Sequence, residues 1–261
     1  MTSVLTPGPA AVAAAATGGD LARFASVEAW VFDLDNTLYP ASTALFPQIE
    51  VKMRTFVGRL LDLDEADARA LQKQYYRRYG TTLRGLMTEH GVAPQDFLSF
   101  VHDIDHSALV PDHRLAEALA RLPGKRYIMT SGSRMHASAV ASRLAIEHHF
   151  DDVFDIIAAD YIPKPAAETY DRFWKATGIR PERAAMFEDL ARNLETPHAF
   201  GMRTVLVVPP GEDDDPDLPD FEREGRRSAH IDHVTDDLAG FLETVLEVLG
   251  APTPASAAAA R

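Results

Sequence analysis

Apolar and polar positions along the chain follow two rhythms. Residues 29–34, Ala-Trp-Val-Phe-Asp-Leu, form a short apolar run of the kind a buried strand needs. Residues 43–61 carry Leu45, Ile49, Met53, Phe56, Val57 and Leu60 at spacings that place them on one helical face. Three more helices are predicted near 64–79, 81–90 and 95–103, punctuated by Gly80 and the stretch HGVAP. No strong strand candidate falls between about 42 and 108. After Pro111 the rhythm changes to alternation. A helix over 112–121 leads to the strand RYIMT, and a helix over 134–145 leads to VFDIIAA. The helix AAETYDRFWKATG, with Phe173 and Trp174 as core residues, leads to RAAMFED, and a helix from about 190 leads to RTVLVV. A last helix over 235–249 has Leu238, Phe241, Leu242, Val245 and Leu249 on its apolar side. Strands alternating with helices predict an α/β fold, a parallel sheet with helices on both faces. The block after the first strand predicts an all-helical insert. The expected organisation is an α/β core over 23–41 and 109–250 and a helical cap over 42–108. Flexible tails are expected at 1–22 and 251–261.

Composition narrows the chemistry. The formal net charge of -13 over 261 residues disfavours nucleic acid polymers and anionic membranes as partners, because an acidic surface repels phosphate. The chain has no cysteine, which excludes disulfides, thiolate nucleophiles and Cys-ligated metals. No apolar run approaches the roughly 20 residues of a membrane span. The Ala-rich N-terminus lacks the basic start of a signal peptide, and residues 209–220, PPGEDDDPDLPD, read as a solvated acidic loop. A soluble cytoplasmic protein is expected.

In an open parallel sheet, ligands bind at the carboxyl ends of the strands. The first strand ends in Asp33, Asp35 and Thr37; the second in Thr130, Ser131, Gly132 and Ser133. Lys164 follows the third, and Glu188 and Asp189 end the fourth, with Asn193 shortly after. Singly, each of these is an ordinary turn or helix cap. Together they place several carboxylates, a hydroxyl-glycine turn and one lysine on a single rim. Acids so gathered need a cation, and hard oxygen donors suit Mg²⁺. The Thr130 hydroxyl and the backbone N–H groups of the following turn can hold phosphate oxygens, with Lys164 adding positive charge. His102 and His106 stand at a spacing that can bind metal on a helix, but with no third ligand evident they read as residues flanking the sequence Asp-Ile-Asp.

DLDNTLYP, TSGS, KP and FEDLARN, in this order, resemble the four motifs of the haloacid dehalogenase superfamily. The helical insert is similar to that superfamily's first type of cap on a Rossmann-like core. YYRRYGTTLRGLM, VHDIDHSALVPD and FEDLARNLETPHAFGMRTVLV resemble its pyrimidine 5′-nucleotidase branch. The similarity runs over about 27–248. It implies a Mg²⁺-dependent phosphatase, a 5′-nucleotidase converting UMP or CMP to nucleoside and phosphate through an aspartyl phosphate. Asp33 would be the nucleophile. Asp35 would be the acid and then the base, its pKa raised by neighbouring carboxylates, and a metal ligand through its carbonyl. Asp33, Asp189 and Glu188 would bind the metal, and Thr130, Ser131, Gly132 and Lys164 the phosphate. Lys164 would also act in catalysis, and Asn193 would orient the metal shell or Lys164. Tyr79, Thr81 and Arg84 in the cap would recognise the nucleotide. Ser131 stands where related nucleotidases often have Asn; it is shorter, though its backbone N–H is still available. The presence of Asp35 disfavours 2-haloacid dehalogenation. A sugar-phosphate phosphatase, a phosphomutase and a non-catalytic phosphate- and metal-binding module are the alternatives. The expected partner is a small-molecule phosphomonoester, a nucleoside monophosphate, bound by a monomer or homodimer.

Overall fold

The computed structural model of the protein describes residues 21–210 and 228–251. Its centre is β1, Ala29–Phe32, buried at every position. β1 pairs in parallel with β2, Lys125–Met129, on one side and with β4, Ala184–Glu188, on the other, so that Val31 lies opposite both Tyr127 and Met186. β3, Asp152–Phe154, β5, Arg203–Val207, and β6, His233–Thr235, complete a six-stranded sheet of order β3-β2-β1-β4-β5-β6. All its pairings are parallel.

The alternation of side chains along each strand builds two cores. Trp30, Phe32, Ile128, Phe187 and Val205 point to one face and pack with Leu119, Val140, Leu242 and Val245. Those partners come from the helices His113–Arg121, Arg134–Arg143 and Leu238–Val248. Phe32 and Phe187 stack at 4.6 Å at the centre of that face. Val31, Met129, Met186 and Leu206 point to the other face, where Tyr170 and Phe173 of the helix Ala167–Thr177 cover them. Trp174 packs against the same core while only partly buried.

The sheet departs from the sequence reading in several places. Residues 155–161 form turns rather than continuing β3. Asp155 is the reason: its carboxylate accepts from the backbone of Arg134 and Ala158, which bends the chain away from the ladder. The segment after β4 is a 3₁₀ turn, Ala191–Leu194, leading into a short helix, Glu195–Ala199. The last helix begins at Leu238, where Asp237 caps Gly240. Leu21, expected in the N-terminal tail, is buried in the first core beside Phe24. The rest of both expected tails, apart from Ala22 and Ala251, and most of the acidic loop lie outside the described residues.

Between β1 and β2 the chain makes an all-helical cap: α1, Leu45–Leu61, α2, Glu65–Tyr79, α3, Thr82–His90, and α4, Pro94–Val101. Its boundaries follow local chemistry. Asp64 caps α2 by accepting from Asp67, Thr81 caps α3 by accepting from Arg84, and Pro94 opens α4. The cap has its own apolar cluster of Ile49, Val57, Tyr75, Leu83, Leu86, Phe97 and Val101, to which Ile156 of the core contributes. Among the described residues no helix is long and apolar enough to cross a membrane.

Gly85 sits within α3, where glycine weakens a helix. Its place there is explained by the Tyr75 ring, which would lie 2.4 Å from an added methyl. Gly85→Ala is therefore expected to destabilise the protein by about 1–3 kcal/mol, as overpacking does, measured as a lowered urea midpoint. An unchanged midpoint would show that α2 and α3 can separate freely.

Candidate active site

β1 carries the chain straight into the site. The Asp33 N–H donates to the Phe187 carbonyl at 2.9 Å, extending the β1–β4 ladder one residue past the strand. The Asp33 carboxylate thus emerges at the sheet's carboxyl edge, only 7% exposed. There it meets Lys164, itself 4% exposed. The Lys164 ammonium donates to Asp33 Oδ1 at 2.6 Å, to Glu188 Oε1 at 2.6 Å and to the Met129 carbonyl at 3.0 Å. All three ammonium protons are thereby engaged. Thr169 fixes the Lys164 loop by donating to the Ile162 carbonyl, and Thr196 does so through the Pro165 carbonyl.

Glu188 is held from every side. Besides Lys164, it accepts from Asn193 Nδ2 at 2.7 Å and from the Leu190 N–H at 2.8 Å. Asn193 therefore orients Glu188, and Tyr170 steadies that loop by donating to the Asn193 carbonyl. Asp189 is much less occupied, with Asn36 Nδ2 at 3.5 Å. Asp33, Glu188 and Asp189 each offer a carboxylate oxygen within 4.8 Å of the others. Burial pushes Asp33 up to about 7, with Glu188 and Asp35 adding to the push and Lys164 opposing it. Burial likewise drives Asp189 well above the carboxylate range, helped by Glu188 and Asp33. For Glu188 burial acts upward too, but Lys164 and its hydrogen bonds outweigh it and keep the group ionised. One ammonium does not balance this many acids, and the oxygen-only donor set fits a hard divalent cation such as Mg²⁺.

Asp35 stands apart from that group. Its Oδ1 receives the Tyr39 hydroxyl at 2.5 Å and lies 2.9 Å from His136 Nε2. The expectation that neighbouring carboxylates raise its pKa is not met. Burial does push it up, but His136 and the hydrogen bonds from His136 and Tyr39 together hold it below the ordinary range. Neither partner was singled out in the sequence. Tyr39 follows Asp35 by one helical turn, a spacing that offered a signal; His136 is 101 residues away and offered none.

Thr130, beside the Met129 carbonyl that Lys164 grips, is buried and accepts the Gly132 N–H at 2.9 Å. That bond leaves the Thr130 hydroxyl proton free for a ligand but occupies the Gly132 N–H. Ser131 makes no hydrogen bond to the described residues, so its hydroxyl and N–H remain available. Ser133 caps the helix Arg134–Arg143 and bonds His102 Nδ1 at 2.9 Å.

The cap residues divide. Thr81 is used as the helix cap, and the Tyr79 hydroxyl donates to Glu89 within the cap. Arg84 is half-buried, and its guanidinium makes no hydrogen bond among the described residues. The α2–α3 corner rests on the core. Gly80 abuts Pro163, next to Lys164, where an added methyl would come within 2.8 Å. The Arg192 guanidinium lies 4.4 Å from the Tyr76 ring. Tyr76 and Arg192 are thus a cap–core contact that sequence reasoning did not select.

A sheet of this order, with a cap inserted after β1 and a lysine bridging acids at the strand ends, is that of a capped α/β hydrolase. The chain belongs to the haloacid dehalogenase-like hydrolase family, whose model matches residues 27–201. It is 26% identical over 235 residues to phosphate metabolism protein 8 of Saccharomyces cerevisiae, covering 83% of this chain and 70% of that one. It is 26% identical over 219 residues to glyceraldehyde 3-phosphate phosphatase of Methanopyrus kandleri, covering 75% and 92%. Its fold matches a phosphatase of the same superfamily from Thermococcus onnurineus, with a TM-score of 0.54 at 15% identity, covering 86% and 99%.

His102 gives the fold a pH signature. Burial, reinforced by His136, holds its pKa down to about 3. In an unfolded chain it would take up a proton near pH 6.5. The unfolded state therefore binds more protons between these values, and this contribution to stability is lost as pH falls through that window. His102→Gln is expected to lose part of the acid sensitivity of the urea midpoint between about pH 7.5 and pH 5. An identical pH slope in the variant would mean that His102 titrates normally when folded.

Proposed function

We propose that the protein is a Mg²⁺-dependent phosphomonoester hydrolase acting as a pyrimidine 5′-nucleotidase. The observation that carries the reading is the Lys164 bridge, 2.6 Å from both Asp33 and Glu188, with Asp35 two residues beyond Asp33. Lys164 fixes the rotation of the Asp33 carboxylate and supplies positive charge where a phosphoryl group accumulates negative charge. An Asp33 oxygen attacks phosphorus, and the bond from phosphorus to the ribose 5′-oxygen breaks. His136 and Tyr39 hold Asp35 mostly ionised at rest, so it is the protonated fraction of Asp35 that gives its proton to that departing oxygen. It then takes a proton from the water that attacks the aspartyl phosphate, which releases phosphate and restores Asp33. The Thr130 hydroxyl and the Ser131 hydroxyl and N–H hold the non-bridging phosphate oxygens. Asp33, Asp189 and Glu188, with the Asp35 carbonyl, would hold Mg²⁺, which when bound offsets the charge of the acids and of the phosphate.

Arg84 is a cap residue whose guanidinium has no partner among the described residues, suited to a nucleotide, with Tyr79 and Thr81 close by in sequence at the α2–α3 corner. The name of the Methanopyrus kandleri relative supports phosphomonoester hydrolysis and favours a second reading, a phosphatase of small sugar phosphates.

Phosphate release from UMP, CMP, dUMP, TMP, AMP, GMP, ribose 5-phosphate, glucose 6-phosphate and glyceraldehyde 3-phosphate, with and without Mg²⁺, tests both. UMP and CMP are expected to lead, Mg²⁺ to be required, and Asp33→Asn to cost at least ~10³-fold in kcat. Preference for a sugar phosphate would overturn the substrate, and activity surviving in Asp33→Asn would overturn the nucleophile.

A further inference from the structure

His136 is a buried polar residue, 1% exposed on the inner face of the helix Arg134–Arg143. Its Nε2 lies 2.9 Å from Asp35 Oδ1, while its Nδ1 is buried with no partner among the described residues. A proton on Nδ1 would leave a buried donor unsatisfied. The geometry therefore places a proton on Nε2, donated to Asp35 Oδ1. The Tyr39 hydroxyl reaches the same oxygen at 2.5 Å. Two donors converge on Oδ1, which fixes the carboxylate plane and leaves Oδ2 without a partner among the described residues.

The ring of His136 is fixed in turn by the cap. His102, at the end of α4, stacks on it with centroids 4.4 Å apart and planes 9° apart. His102 is itself tied through Nδ1 to Ser133, the residue that caps the His136 helix. Gly132 makes room for the stack, since a methyl there would lie 3.3 Å from His136 Cδ2 and 3.6 Å from His102 Nε2. These contacts form one chain from the last cap helix, through two parallel rings, to one oxygen of Asp35.

We propose that His136 is a positioning residue, which holds Asp35 Oδ1 so that Oδ2 exchanges the proton with the leaving group, and that His102 makes this hold depend on the seating of the cap. The inference rests on the reading of Asp35 as acid and base. In the step concerned, the phosphorus–oxygen bond breaks as the proton on Oδ2 passes to the departing alkoxide. An alkoxide needs that proton; a p-nitrophenolate does not.

The test compares kcat/KM, which covers the steps up to departure of the alcohol, for p-nitrophenyl phosphate and for the best alkyl phosphomonoester of the panel. Asp35→Asn is the reference. It is expected to lose ~10²-fold or more on the alkyl ester and much less on the aryl ester. His136→Asn, whose amide is too short to reach Asp35, is expected to show the same selectivity at ~10- to 100-fold. His136→Gln, long enough to donate, is expected to recover most of the loss, and His102→Ala to fall between. Equal losses on both esters in His136→Asn would assign His136 to packing and overturn the proposal, as would no loss, or no recovery in His136→Gln. If His136→Asn does not fold, His136→Gln and His102→Ala carry the comparison, and a lack of ester selectivity in His102→Ala overturns the cap's part. An Asp35→Asn enzyme without ester selectivity would instead overturn the acid–base reading itself.

Discussion

The Lys164 ammonium is the constraint on which the site depends. Three strand ends meet at it: Asp33 past β1, the Met129 carbonyl at the end of β2 and Glu188 at the end of β4. Each of those strand ends would be costly to bury alone. A buried ion pair gains little over an apolar packing, but removing one partner strands the other at about 3–5 kcal/mol. The bridge therefore specifies geometry more than it adds stability. It sets the spacing of the strand ends and the rotation of the Asp33 carboxylate, and Glu188 passes the order on to Leu190 and Asn193.

The cap touches the core beside the same residues. Gly80 meets Pro163 next to Lys164, Tyr76 meets Arg192 next to Asn193, and His102 meets Ser133 close to Thr130. Its remaining apolar surface packs into a cluster that Ile156 of the core joins. The lid over the site is thus held by a few contacts that are also neighbours of the chemistry.

Much of this was legible in the sequence because it is local. Strand runs, helical faces and caps are written within a few residues, and the rim followed from the rule that parallel strands aim their ends one way. Asp33 and Glu188 could be placed together on that ground, whereas Lys164 lies ten residues past the end of β3. The segment VFDIIAA misled because its apolar residues suit a buried turn as well as a strand, and Asp155 decided for the turn. β6, three residues long, is below the length at which alternation carries a signal. The setting of Asp35 was hidden for another reason. Counting acids nearby suggested a raised pKa, whereas a histidine 101 residues away and a tyrosine four away reverse the sign. Such long-range partners leave no periodic trace.

The sheet's outer strands are its shortest. β3 and β6 have three residues each, against five in β2, β4 and β5. An edge strand exposes unpaired backbone groups that can recruit a strand from another molecule, and shortness is one way natural proteins blunt that risk. Two such stubs leave little ladder for a second chain to extend on either side. The consequence concerns colloidal behaviour: a highly apolar parallel sheet is kept from growing into intermolecular sheets.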